Sequence, residues 1–165
     1  MTSGAPIIHE DGTLRQAYCR NVHVVAWYDA PSLEQMHAYG AAAKALSARW
    51  EGKSALMNIV VTGVPRFSSE VREAAAEYTR EGAHTVGAAH IILVGGLLGS
   101  SVRAFLSTAM LLGRPPNPTK VFGSIDEAAL WMGRNLAERS AEAWDPSELA
   151  EVCRAVVERR EHAAM

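Results

Sequence analysis

The chain has 165 residues, which is the length of one typical domain. Hydrophobic residues make up 48% of the sequence and charged residues 21%, so the disordered and fibrous classes are excluded. With 16 Lys and Arg against 18 Asp and Glu, the formal net charge is -2, which removes the main electrostatic argument for a general nucleic-acid binder. We therefore expect one folded, soluble domain that does not bind nucleic acid.

The cysteines and the apolar segments indicate a cytoplasmic protein. Cys19 and Cys153 are far apart in the sequence and belong to no CxxC motif, so no disulfide framework is expected. Residues 1–20 contain charged groups and no apolar run, which excludes a secretory signal of the usual form. The most apolar stretch, residues 87–113, is interrupted by His90 and Arg103, so we expect no transmembrane segment.

Hydrophobic periodicity and turn residues predict the regular elements in chain order. Residues 1–12 carry glycine and proline without periodicity and are predicted to be an irregular lead-in. The elements that follow are predicted as strands 14–19 and 22–28, helix 32–50, strand 55–62, helix 69–82, strand 86–94, helix 102–113, strand 119–122, helix 125–138 and a last helix from 146.

The starts of three helices carry a local capping signal. Ser32 is followed three residues later by Gln35, and Ser124 by Glu127, which are capping-box patterns. Asp145 precedes a proline, the arrangement of a capping residue before the first helical position.

This order of elements predicts an α/β domain. Right-handed crossovers between successive strands would give a mixed, largely parallel sheet of about five strands with helices packed on it. The domain is predicted to span residues 13–138, and residues 139–165 form a C-terminal helical extension.

The element order and four segments resemble a known family. The segments are HVVAWYDAPSLEQM, ALMNIVVTGVPRFSSEVREAA, HIILVGGLLGSSVRAFLSTAMLL and TKVFGSIDEAALWM. Over residues 13–138 the chain resembles STAS domains, the fold of the bacterial anti-sigma-factor antagonists, and more specifically the STAS-like, Sec14-related small bacterial proteins of uncharacterised function. The resemblance implies a non-catalytic regulatory module.

In the antagonist family a phosphorylatable serine stands at the start of the second helix, and Ser68 and Ser69 occupy the matching place. The family's aspartate and glycine are missing around them, because Arg66 and Phe67 precede the pair and Glu70 follows it. A phosphate there would meet free helix N–H groups beside Arg66. The alternative is that one serine is simply the N-cap of the helix.

A glycine-rich loop at residues 95–101 is a candidate anion site, because it follows a strand and opens a helix. Its backbone N–H groups and a nearby guanidinium would hold a phosphate or carboxylate. The alternative is a tight turn that permits close helix packing. The candidate residues for binding an anion or ligand are Arg66, Gly96, Gly99, Ser100, Ser101 and Arg103.

Residues 82–125 contain no Asp or Glu. The outward face of the helix in this segment is predicted to carry Ala104, Ser107, Thr108 and Leu111, where a solvated helix normally carries charges. Either this face is an interface with another protein, or the C-terminal helix of the same chain covers it.

Histidine and serine patterns give no catalytic or metal motif. The six histidines include no HxH or HxxxH pair, so no metal site and no cofactor are expected. His90 lies in an apolar run and is interpreted as a hydrogen-bonded core or edge residue. Without a GxSxG motif, a serine hydrolase would need Ser100 or Ser101 to meet a histidine and an acid through folding alone.

The sequence therefore predicts a non-catalytic, STAS-like regulatory or interaction module that binds a protein partner or a second copy of itself. The alternative is a domain that binds a small ligand or lipid. The Sec14-related resemblance and the apolar, acid-free segment support this alternative, because the segment would border a pocket.

Overall fold

The structure, a computed structural model, describes residues 6–63, 67–81 and 85–163. Within them the strands are β1 (Ile7–Glu10), β2 (Leu14–Cys19), β3 (Val22–Trp27), β4 (Ser54–Val60), β5 (Thr85–Ile92) and β6 (Thr119–Phe122). The helices are α1 (Leu33–Arg49), α2 (Ser69–Glu81), α3 (Gly96–Gly113), α4 (Ile125–Arg139) and α5 (Pro146–Ala163).

The six described strands form one mixed sheet in which spatial order follows chain order. β1, β2 and β3 pair antiparallel, whereas β3 to β6 pair parallel. Each parallel pair is joined by one helix, α1, α2 or α3, and these three helices lie side by side. The α/β class with a mixed, largely parallel sheet is confirmed.

The prediction of an irregular lead-in over residues 1–12 is wrong at Ile7–Glu10, where β1 adds a sixth strand, and residues 1–5 of this prediction lie outside the described residues. Ile7 pairs with Ala17 and His9 with Gln16, with an irregular register between the two pairs. Although burial alternates along β1, its four residues Ile-Ile-His-Glu do not alternate between apolar and polar types, which is the pattern by which a strand is recognised in a sequence. The Arg15 guanidinium is buried and bonds the Glu10 carboxylate, which fixes this edge strand to β2.

The two faces of the sheet carry different chemistry. In β4, Ala55, Met57 and Ile59 point into an apolar core shared with α4 and α5. Leu56, Asn58 and the residues in register with them point to the opposite face, beneath α1, α2 and α3. The alternation of one strand thus separates a closed apolar core from a face with polar groups.

The C-terminal helix α5 is built into the closed core. Asp145 Oδ1 accepts a hydrogen bond from the Ser147 N–H at 2.8 Å, which caps the helix as predicted. Leu149, Cys153 and Val156 are buried against the sheet and α4. Because α5 lies on the face opposite α3, it does not cover the outward side of α3.

The capping signals place the helix starts correctly. Ser32 and Gln35 form both bonds of the capping box, at 3.1 Å and 3.0 Å. The Ser124 hydroxyl accepts from the Glu127 N–H at 3.2 Å. Helix α3 begins at Gly96, about six residues before the predicted start. Its N-cap is Gly95, which has no side chain, so the sequence carries no capping signal at this position.

Leu149 is 0% exposed in the core beneath α5, whereas Leu111 on α3 is 76% exposed. We expect Leu149→Ala to lower the free energy of unfolding by about 2–5 kcal/mol, because it leaves a cavity in a closed core. The matched change Leu111→Ala should stay within about 0.5 kcal/mol. Urea unfolding followed by circular dichroism measures both, and equal effects would contradict this description of the core.

Candidate ligand-binding cavity

Helices α1, α2 and α3 pack closely on one another at glycines. A Cβ atom at Gly40 of α1 would collide with the ring of Tyr78 on α2. A Cβ atom at Gly113 of α3 would lie 2.7 Å from the Ala76 carbonyl oxygen of α2. These contacts hold the three helices together as one layer.

A cavity of about 760 Å³ lies between this layer and the sheet. That volume falls in the range of small-molecule and cofactor sites. The strands supply its floor with Trp27, Leu56, Asn58, Ala88 and His90. The helices supply its roof with Met36, Tyr39, Ala43, Ala75, Tyr78, Val102, Phe105, Leu106 and Ala109.

The charged side chains among the described lining residues stand at the cavity margin. Asp29, Lys44 and Glu51 are all exposed. Asp29 follows the carboxyl end of β3, while Glu51 follows the end of α1, near the opposite edge of the sheet. Among the described residues, the cavity interior is therefore lined by apolar and uncharged polar groups, and the ionised groups are at the margin, where solvent reaches them.

Three side chains on the floor form a chain of hydrogen bonds. The Trp27 indole Nε1 donates to Asn58 Oδ1 at 2.7 Å, and Asn58 Nδ2 lies 2.9 Å from His90 Nδ1. Asn58 and His90 are direct partners in the β4–β5 register. Parallel pairing therefore places the amide and the imidazole side by side.

Burial sets the protonation of this floor. It lowers the pKa of His90 to about 4, because the charged imidazolium loses its hydration beneath the helices. Burial also raises the pKa of Tyr39, and the neighbouring Tyr78 adds to the shift. Near pH 7 the imidazole and the phenol are both neutral.

Aromatic contacts close the roof. Phe67, which precedes α2, stacks on Phe105 of α3 with ring centroids 3.8 Å apart and an interplanar angle of 7°. Tyr39 meets Tyr78 edge to face at 6.2 Å, and it meets Trp27 on the floor in the same way at 6.2 Å. These pairs connect the three helices to one another and to the sheet.

Ser68 and Ser69 are exposed at the start of α2, outside the cavity wall. The Ser68 hydroxyl accepts from the Val71 N–H at 3.2 Å, so it has the geometry of an N-cap. Arg66, named as a partner for a phosphate, lies outside the described residues. The capping alternative thus has a direct contact, and phosphorylation of either serine stays a prediction.

The prediction that residues 95–101 form a glycine-rich loop is wrong, because α3 already begins at Gly96. The hydroxyls of Ser100 and Ser101 donate to the helix carbonyls of Gly96 and Leu97, at 3.2 Å and 3.0 Å. A Cβ at Gly99 would collide with the Val94 carbonyl oxygen, so close packing explains this glycine. Arg103 is exposed on the helix and is outside the cavity wall.

The outward face of α3 is exposed at Ala104, Ser107, Thr108 and Leu111. Leu97 in the first turn is 88% exposed. Among the described helices, α3 alone is long and apolar enough to cross a membrane by length and composition. Its inner residues, Val102 and Leu106, pack on β5, which makes it part of the helix layer.

Trp27 and Asn58 were not predicted as site residues, and His90 was predicted only as a structural residue. The available signal was a polar residue inside each of two neighbouring apolar strands. The register between β4 and β5 brings Asn58 and His90 together, and this register cannot be read from the sequence.

Comparisons with known proteins add no family. A scan against protein-family models finds no match, and a search of curated proteins also finds none. Within the described residues, no group of three His, Cys, Asp or Glu side chains is placed to hold a metal ion.

His90 makes stability depend on pH. Its folded-state pKa of about 4 lies below the ordinary value of 6.5, so the unfolded chain binds the proton first. The contribution of the neutral His90 to the free energy of unfolding is complete above about pH 6.5. It falls by up to about 1.4 kcal/mol per pH unit toward pH 4.

Urea unfolding of the wild type and His90→Gln between about pH 7 and pH 5 tests this dependence. The difference in unfolding free energy between the two proteins should shrink as the pH falls. His23, whose pKa burial lowers to about 3, is common to both proteins and cancels. A difference independent of pH would contradict a buried neutral His90.

Proposed function

We propose that the protein binds a small, predominantly apolar molecule in the cavity between the sheet and helices α1 to α3. The observation that carries the proposal is the cavity of about 760 Å³ with its largely apolar wall. Binding of an apolar molecule would remove both its own surface and this wall from water, which is the main driving force for such complexes. The resemblance to Sec14-related proteins points the same way.

Within this proposal the protein acts by binding, without catalysis. The imidazole of His90 is the cavity group best suited to accept a proton, but its Nδ1 already faces the Asn58 amide at 2.9 Å. The charged residues of the described wall are at the margin and exposed. The interior offers hydrogen bonds and apolar contacts, which suit recognition of a molecule.

A substitution that fills the cavity tests this function. Ala88 lies on the floor, half-buried and facing the helices, so Ala88→Phe should occupy ligand space while the fold stays intact. Diphenylhexatriene, an apolar probe that fluoresces when it leaves water, should bind the wild type saturably and lose at least about tenfold in affinity for the variant.

The matched control is Ala104→Phe, which adds the same ring on the exposed side of α3. It should bind the probe like the wild type. Thermal melts of both variants confirm that they are folded. Equal probe affinity in all three proteins would place the probe outside the cavity and overturn the proposal.

A second candidate function is regulation through protein contact. The exposed face of α3, with Leu97 and Leu111, supports it, because exposed leucines on the same side of one helix favour association. Leu111→Glu would place a carboxylate in such a contact and should weaken association without unfolding the domain. Sizing chromatography and a thermal melt check the result, and unchanged association would remove this candidate.

A further inference from the structure

The hydrogen-bond chain on the cavity floor has only one consistent direction. An indole nitrogen can only donate, so the Asn58 group that faces Trp27 must be its carbonyl oxygen. The Asn58 amide nitrogen therefore faces His90 and donates to Nδ1. Because Nδ1 accepts this bond, the ring proton of the neutral imidazole must be on Nε2.

This tautomer leaves one donor available to the cavity. His90 lines the cavity and is only half-buried by the protein, although it lies beneath the helix layer. Nε2 is across the ring from Nδ1, and no described residue accepts a hydrogen bond from it. The floor of this largely apolar cavity thus presents a fixed N–H group.

We propose that His90 selects ligands that carry a neutral hydrogen-bond acceptor, such as an ester or ketone carbonyl, on an apolar body. This inference rests on the proposed function and names the ligand class of the same cavity. A hydrocarbon bound against His90 would displace water from the Nε2–H group and leave that group without a partner, which is unfavourable. A carbonyl oxygen would accept the bond with no change of charge.

A carboxylate fits the same place poorly. Its best partner would be an imidazolium, but protonation of Nδ1 would set its N–H against the amide nitrogen of Asn58. If the side-chain amide of Asn58 rotated so that its oxygen accepted a hydrogen bond from Nδ1–H, the amide nitrogen would face the indole N–H of Trp27. Either arrangement brings two donors together, so the chain of three side chains resists the charged form. The burial that lowers the pKa of His90 acts in the same direction.

The tautomer can be tested without any ligand. Long-range ¹H–¹⁵N correlation spectra near pH 7 distinguish the two neutral tautomers and the doubly protonated ring. We expect the His90 ring to carry its proton on Nε2. A proton on Nδ1, or on both nitrogens, would overturn the inference while leaving the cavity and the proposed function unaffected.

Ligand preference is tested by displacement of diphenylhexatriene, which has no acceptor, with methyl laurate and with laurate. In the wild type we expect methyl laurate to compete better than laurate. His90→Phe should weaken the binding of methyl laurate about tenfold relative to its effect on diphenylhexatriene, which makes no hydrogen bond to the imidazole. If laurate binds as tightly as methyl laurate, or if His90→Phe keeps the wild-type affinity for the ester, the inference is wrong.

Asn58→Asp gives a change that a merely structural role would not produce. A carboxylate at this position can accept from both Trp27 and His90, so it would place a proton on Nδ1 and favour the imidazolium. The preference should then move from methyl laurate to laurate. If the Asn58→Asp variant melts as a folded protein and still prefers the ester, the inferred direction of the hydrogen-bond chain is wrong.

The outcomes separate the two proposals. If the wild type fails to bind diphenylhexatriene, the proposed function fails and the selectivity fails with it. If the probe binds, and Ala88→Phe abolishes binding while His90→Phe changes no preference, the cavity is a ligand site without the selectivity inferred for His90.

Discussion

The close lateral packing of α1, α2 and α3 is the constraint on which the site depends. Gly40 and Gly113 bring the outer helices into contact with α2, and aromatic side chains fill the inner side of the layer. Helices packed to one another at glycines can span a sheet without resting on it along their whole length. The space left between the layers is the cavity.

The opposite face of the sheet supplies the stability that such a space lacks. There α4 and α5 cover Met57, Ile59 and Ile91, all fully buried in one apolar cluster. Successive side chains of a central strand point to opposite faces of the sheet. They therefore contribute to closed packing on one face and to the Asn58–His90 pair on the other. The division explains how a polar pair can stand in an apolar strand without weakening the core beneath α5.

Local signals in the sequence were sufficient to predict most of the helices and strands. The capping boxes, the apolar strands 55–62 and 86–94 and the Asp145–Pro146 start all lead to the observed elements. Strand β1 was missed because it has only four residues, and these do not alternate between apolar and polar types. The alternative prediction of a pocket beside the acid-free segment 82–125 agrees with the cavity, which Val102, Phe105 and Leu106 line. Its size and floor were not predictable, since they depend on the distance between two layers and on the register between β4 and β5.

A cavity of this size also couples occupancy to stability. Wall atoms that face the cavity lack contacts that a closed core provides, so the helix layer rests on the sheet mainly through the apolar clusters around Met36, Val71 and Val102 and through the aromatic contact of Tyr39 with Trp27. A molecule that fills the space would restore those contacts and stabilise the folded state by mass action. The stacked pair Phe67–Phe105 lines the cavity and joins the segment before α2 to α3, so a bound molecule that touches these rings would add its contacts where the two helices meet.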